Sequence, residues 1–394
     1  STTSMFVRIL AKLLTDADMG RYIVPIVPDE ARTFGMEALF RKYGIYSHIG
    51  QLYDPVDSES LMYYREAREG QLIEEGISEA GGVSSFIAAG TAYATHGIPT
   101  LPVFVFYSMF GFQRIGDLIY AAGDQRARGF LIGATSGRTT LNGEGLQHQD
   151  GHSHLFAYGY PHVVAYDPAF AYELAIIMRE GVRRMYTENE DVIYYLTVQN
   201  EVYAMPDMAD DIETAVLKGM YLFRQSTTTS GNKANLFASG SIINEALRAQ
   251  QILEKEFEVS AAVWSITSFQ QLHEDGLAAE RWNVLHPEQP RTVWVSECLA
   301  DSEGAYVVAS DYLKALPNSI ARWFPRPPVS LGTDGFGRSE SRDALRNYFE
   351  IDAAMIAYAA LVELFRQGKI DEKAIERART QLGIDPDKIN PRDV

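Results

Sequence analysis

Apolar positions recur at helical spacing over residues 5–14, and the run RYIVPIV at 21–27 then ends at Pro28, so the chain should open as a helix followed by a short buried strand. The next stretch, 36–72, is polar and rich in tyrosine, which predicts a surface excursion. It leads into LIEEGISEAGGVSSF at 72–86, where a helix of unusually small residues should begin at Glu79. From there the pattern is regular: strand 100–106, helix 115–122, strand 129–134, strand 162–165, helix 169–186 opened by Asp167-Pro168, and strand 192–198. Strand and helix alternate, so the sheet should be mainly parallel. Periodicity breaks in the acidic stretch 207–211, the expected linker. A second alternating unit follows with strands at 234–239, 260–264 and 305–309, helices at 243–257 and 352–366, and a charged helical close. The prediction is an α/β chain of two doubly wound, mainly parallel-sheet domains, 1–206 and 212–394, without short repeats.

Composition narrows the function classes. With 35 basic and 52 acidic residues the net charge is −17, which argues against nucleic acid and against an anionic membrane surface as partners. Cys298 is the only cysteine, so no disulfide can form within the chain, and a cytoplasmic location is the simplest expectation. No stretch resembles a signal peptide or a membrane span; the apolar run 100–112 is too short and too aromatic. The chain starts inside a helix-like pattern without a methionine, which is expected of a truncated or processed chain.

Candidate chemistry centres on Glu79. A carboxylate on the first turn of a helix carrying Gly81, Gly82, Ser84, Ser85 and Gly90 sits where a backbone or a flat ligand can approach closely. Such a charge needs a partner or a raised pKa, either of which suits proton transfer, while the macrodipole alone also favours an acid there. Asp29 and Glu30 directly follow the first strand, a position that suits ligand binding in open sheets and equally a helix cap. The loop LQHQDGHSH at 146–154 gathers His148, His152, His154 and Asp150. Drawing every metal ligand from one short loop would be strained, so no metal site is expected. His148 as a proton donor facing substrate, or a loop satisfied by its own backbone, are the readings that stand. Tyr107, Phe110, Phe112 and Arg114 (YSMFGFQR) leave the strand at 100–106 as core aromatics or as a stacking surface for a heteroaromatic cofactor.

Two similarities carry little. Gly123-Asp124-Gln125 with Asn142 lacks the glycine of a diphosphate and Mg²⁺ motif, and 117–125 reads as helix. GTDGFGR at 332–338 has no lysine-serine pair for a phosphate loop, so a turn ahead of a helix capped by Ser339 is expected.

The phrases PDEARTFGMEALF, FYSMFGFQRIGDLIYAAGDQRARGFLIGATSGRTTLNGEGLQHQDGHSH, YDPAFAYELAIIM, ERWNVLHP and LGTDGFGRSESR run through nearly the whole chain. They make it resemble the carboxyl-terminal part of the homodimeric bacterial pyruvate dehydrogenase first components, which are thiamine-diphosphate enzymes of transketolase-like fold. The resemblance implies a pyrimidine-binding domain followed by a transketolase-like carboxyl-terminal domain. It implies oxidative decarboxylation of pyruvate with transfer of the acetyl group to the lipoyl domain of the dihydrolipoyl acetyltransferase component. Residue by residue, Glu79 resembles the acid that exchanges a proton with N1′ of the cofactor, and Ile77 the residue beneath its bent conformation. Phe110 resembles the ring stacked on the aminopyrimidine, Tyr107 and His148 groups lining the substrate pocket, and Asp29 and Glu30 acids between the two sites of the homodimer. The family's amino-terminal domain, which carries the Mg²⁺ and diphosphate motif, has no counterpart here, so thiamine diphosphate and Mg²⁺ are expected to need that missing domain as a partner. The alternatives are a non-catalytic dimerisation or assembly fragment and a transketolase-like ketol transferase. The transferase is disfavoured because the second domain shows no basic cluster for a sugar phosphate.

Overall fold

The computed structural model describes residues 1–29, 31–54 and 64–394. Packing divides them into two compact units: Ser1–Ser136, Phe156–Ala165 and Ile177–Ala204 in the first; Gly137–Leu155, Tyr166–Ile176 and Met205–Val394 in the second.

In the first unit a Thr2–Leu14 helix precedes β1 (Ile23–Val27), and a small pair, β2 (Ile45–Tyr46) with β3 (Glu66–Ala67), stands apart from the main sheet. That sheet adds β4 (Ile73–Glu74), β5 (Leu101–Phe106), β6 (Gly129–Ala134), β7 (Val163–Tyr166) and β8 (Ile193–Val198), in the order β4-β1-β5-β6-β8-β7. The pairings of β1 with β4 and β5, of β5 with β6, and of β6 with β8 are all parallel. The central strands are buried on both faces, which is why they read as continuous apolar runs rather than alternating ones. Phe104 and Phe106, two apart on β5, share a face with Leu131 and Tyr195. Against that face pack Val83 and Phe86 of the Glu79–Gly90 helix and Ile115 and Ile119 of the Phe112–Asp124 helix.

The second unit repeats the plan with five strands: β9 (Met220–Arg224), β10 (Lys233–Ala238), β11 (Ser260–Ile266), β12 (Ala305–Ala309) and β13 (Val329–Leu331), ordered β13-β12-β10-β11-β9. All its pairings are parallel except that of β9 with β11. The Ile243–Glu256 and Ala353–Arg366 helices pack on each other and on this sheet. Segment 137–155 is tied into this unit by charge. The Asp311 carboxylate accepts from the backbone N–H groups of Thr139 and Thr140 at 2.7 and 3.0 Å, and nearby the buried Arg346 and Glu245 pair at 3.0 Å.

Some elements escape the pattern. The two-residue β4 is too short for any periodicity, and β9 and β13 are edges with interrupted burial. The Phe269–Leu285 helix holds Gly276 against the Trp323 indole and leaves Leu277, Val284 and Leu285 exposed, so its apolar residues do not form one stripe. The Arg342–Tyr348 helix takes Ser341 as its N-cap instead of Ser339.

The glycines of the Glu79–Gly90 helix serve the core. A Cβ on Gly82 would lie 2.5 Å from the Phe104 ring, and one on Gly90 would lie 2.7 Å from the Arg128 carbonyl. Gly82→Ala is therefore expected to lower stability by about 1–3 kcal/mol through overpacking, against the gain of roughly 1 kcal/mol that helix propensity alone would give. Urea denaturation decides the sign; a stabilised variant would show that Phe104 is not held against this helix.

Candidate active site

Ser78 caps the Glu79–Gly90 helix by accepting from the Gly81 N–H, which places Glu79 as its first residue. There the side chain meets the positive end of the helix and is 7% exposed. Its partner is Arg114, whose Nη1 lies 3.0 Å from Oε2. Arg114 comes from the helix that begins at Phe112, separated only by Gly111 from the 3₁₀ turn Ser108–Phe110 at the end of β5. Its guanidinium lies over the Phe110 ring, 3.8 Å from the centroid, so Phe110 steers the cation that neutralises Glu79. Tyr107 is buried behind this pair, edge-on to Phe110 at 6.0 Å and to Phe34 at 5.3 Å. Arg114, named in the sequence only as the end of an aromatic run, is thus the ion-pair partner of the candidate acid.

Ile77, one residue before the cap, is 79% exposed. Asp29 is exposed after β1, while Glu30 lies outside the described residues. The acids that pattern reading passed over are Glu74 and Glu75. Parallel pairing sets Glu74 opposite Val27, and Glu75 donates its N–H to the Val27 carbonyl at 3.1 Å, so both follow β1 to the sheet edge. Glu75 accepts from the Ser85 hydroxyl across the first turns of the helix. Burial pushes the Glu74 carboxyl up to about 7; the Tyr64 hydroxyl pulls the other way, and the charge of Asp29 adds to the rise. The signal was present as the Glu74-Glu75 dipeptide inside the stretch already singled out, but nothing local marked it as strand.

The histidine loop belongs to the second unit and is described there. Asp150 accepts from the backbone N–H groups of His152 and Ser153, both at 2.9 Å, and so caps the Ser153–Ala157 helix. His154 is buried, edge-on to Tyr312 at 4.8 Å, and burial pushes its imidazole down to about 4. His152 is lowered by burial as well. His148 is half-buried, with Nδ1 3.2 Å from Glu144 Oε2. The loop is therefore in large part satisfied by its own backbone and packing. Among the described residues no group of three or more His, Cys, Asp or Glu side chains is arranged to hold a metal ion.

Solved structures place the fold in the transketolase class. The chain is similar to transketolase from Campylobacter jejuni, at a TM-score of 0.64 and 18% identity over 92% of this chain and 46% of that one. The Leishmania mexicana transketolase gives 0.65 and 15% over 93% and 45%. A third structure, described as a split gene transketolase in an inactive beta4 tetramer, gives 0.57 and 16% over 92% of this chain and 98% of that one. The model of the pyruvate dehydrogenase E1 component middle domain matches residues 1–206, and that of the transketolase-like C-terminal domain matches 219–352. The chain belongs to the pyruvate dehydrogenase E1 component family. It is 54% identical over its whole length to the pyruvate dehydrogenase E1 component of Pseudomonas aeruginosa and 49% identical to that of Escherichia coli K12. It covers 45% and 44% of those proteins, so it spans about half the length of the curated relatives it matches.

The raised Glu74 carboxyl gives a pH dependence. Because the folded chain binds this proton more tightly than the unfolded one, the contribution is fully present below pH 4.5 and is lost as the pH rises to about 7. Wild type should therefore lose stability relative to Glu74→Gln across that window, as read from urea midpoints of the two proteins. A constant difference would mean that Glu74 is not desolvated.

Proposed function

We propose that this chain supplies the pyrimidine-binding and carboxyl-terminal domains, 1–206 and 212–394, of a thiamine-diphosphate-dependent enzyme. That enzyme decarboxylates pyruvate and passes the acetyl group to a lipoyl domain of the acetyltransferase component, as part of a cytoplasmic homodimer. The observation that carries the reading is a buried carboxylate, Glu79, paired with one half-exposed cation on the first turn of a helix, in a chain of the pyruvate dehydrogenase E1 component family.

The residues present fit the aminopyrimidine end of the cofactor. Glu79 offers a carboxylate whose second oxygen can hold or release a proton, and Phe110 offers a flat ring beside it. Ile77 supplies an exposed aliphatic surface just before the helix. When bound, the cofactor would supply the carbon nucleophile and the electron sink for decarboxylation. Arg114 fixes one carboxylate oxygen, so the proton moves at the other. It also gives the buried carboxylate a cationic partner in a place where an unpaired charge would be costly. Tyr107 holds Phe110 from behind, which limits the side-chain motion that would misplace the acid. His148, kept beside Glu144, is the candidate donor toward the carboxylate or carbonyl of pyruvate. The diphosphate and Mg²⁺ would be held by the amino-terminal portion that the relatives have in addition. A second reading, a non-catalytic dimerisation or assembly module of the same fold, draws on the neighbour described as a split gene transketolase in an inactive beta4 tetramer.

In protein assembled with that amino-terminal portion, Glu79→Gln should lower turnover of pyruvate by about 10²-fold or more, the range of a positioned proton-transfer group. The amide keeps the shape but cannot carry the proton. Turnover unchanged by the substitution would remove Glu79 from the chemistry. No turnover even by the assembled wild type would favour the assembly reading.

His148→Ala should impair the pyruvate-dependent steps and leave cofactor affinity nearly unchanged. Parallel cofactor titrations and pyruvate kinetics check this, and a lost cofactor affinity with normal pyruvate kinetics would place His148 elsewhere.

A further inference from the structure

The sheet of the second unit carries a cavity of about 510 Å³, within the size range of small-molecule sites. Its origin is in the strand pattern. Ser260, Ala262 and Trp264 alternate onto one face of β11, and the register sets Lys233 beside Ser260 and Asn235 beside Ala262 on the same face. The small side chains of Ser260, at the start of the strand, and Ala262 leave a hollow that the Trp264 indole closes at one end. The floor is already fixed. Trp264 Nε1 donates to Asn235 Oδ1 at 3.2 Å, and Asn235 Nδ2 donates to the Glu303 carbonyl at 3.0 Å.

The walls set the chemistry. Thr228, Thr229 and Ser230 bring hydroxyl groups along one side, and Cys298 lies on the lining as well. Lys233 is tied to Glu303 at 3.2 Å, while the exposed carboxylates of Glu297 and Asp301 have no ion pair among the described residues. The mouth is therefore negative. Exposed carboxylates contribute little binding energy, but they select by sign and turn phosphates and other anions away.

We propose that this cavity binds a small hydroxylated amine, its ammonium group toward Glu297 and Asp301 and its hydroxyls against the Thr228–Ser230 wall. The site stands apart from the decarboxylase reading, since none of its residues belongs to the Glu79 or His148 surroundings.

Cys298 provides the readout, because it is the only cysteine in the chain and lines the cavity. Burial pushes its thiol up to about 12, so alkylation by N-ethylmaleimide should be slow and easily followed by intact mass. Glucosamine, glucose and glucose 6-phosphate share one body and differ in charge. On the full chain, glucosamine at ten times its dissociation constant should slow alkylation by about tenfold. Glucose should protect less, and glucose 6-phosphate not at all. The surface double variant Glu297→Gln with Asp301→Asn should erase the difference between glucosamine and glucose, and Ala262→Phe should fill the hollow and remove protection. Equal protection by all three sugars, best protection by the phosphate, or no protection by any of them overturns the proposal. The surface variant keeps the test decisive should Ala262→Phe fail to fold.

Discussion

A carboxylate taken almost wholly out of water must be neutralised or paired, and in the first unit that requirement is met by the contact between Glu79 and Arg114. The neighbouring structure follows from it. The 3₁₀ turn Ser108–Phe110 ends β5 so that the next helix starts at Phe112 and Arg114 can reach across. Phe110 lies beneath the guanidinium and Tyr107 behind Phe110, so the cation has little freedom to leave. The close packing of the Glu79–Gly90 helix on Phe104 fixes the other partner. One ion pair is thus held by two helices on one sheet, the kind of rigid support that a positioned acid needs.

The strands buried on both faces were legible in the sequence because apolar runs of five or six residues have few other uses. The predicted strands 129–134 and 305–309 coincide with β6 and β12. Helix starts were legible where a side chain does the capping, as at Ser78. What escaped was decided by tertiary contact. Glu74 becomes a strand residue only because Val27 lies beside it, and β9 pairs antiparallel at an edge that no local pattern marks. The stripe of small residues after Glu79 was legible as a close approach, and what approaches is the Arg128 backbone at Gly90 and, unforeseen, the core ring Phe104 at Gly82. Of the candidate site, Glu79, Tyr107, Phe110 and Arg114 do come together, and Glu74 was missed for want of a recognisable strand. For His148, offered as a donor by its loop and by the resemblance, the structure shows the contact to Glu144, and the other constraints visible in the loop are the cap made by Asp150 and the burial of His154.

The two units use their polar residues differently. In the first, charge is concentrated at the sheet edge and helix start, where Glu74, Glu75 and Glu79 gather within a few residues of one another. In the second, buried charge is spent on cohesion: Asp311 satisfies the N–H groups of Thr139 and Thr140, and Arg346 meets Glu245. Polar groups satisfied inside the fold specify packing, whereas a carboxylate with an oxygen left over is free to do chemistry. That contrast is why the candidate acid is assigned to Glu79 and not to the more deeply buried Asp311 or Glu245.

The dependence of Glu79 on Arg114 is open to direct measurement by a double-mutant cycle, with Glu79→Gln, Arg114→Met and the double variant compared by urea denaturation of the chain. Residues in contact through one hydrogen-bonded ion pair are expected to show a coupling of at least about 0.5 kcal/mol. A coupling indistinguishable from zero would mean that Glu79 is neutralised by something other than Arg114, and the site as described here would not stand.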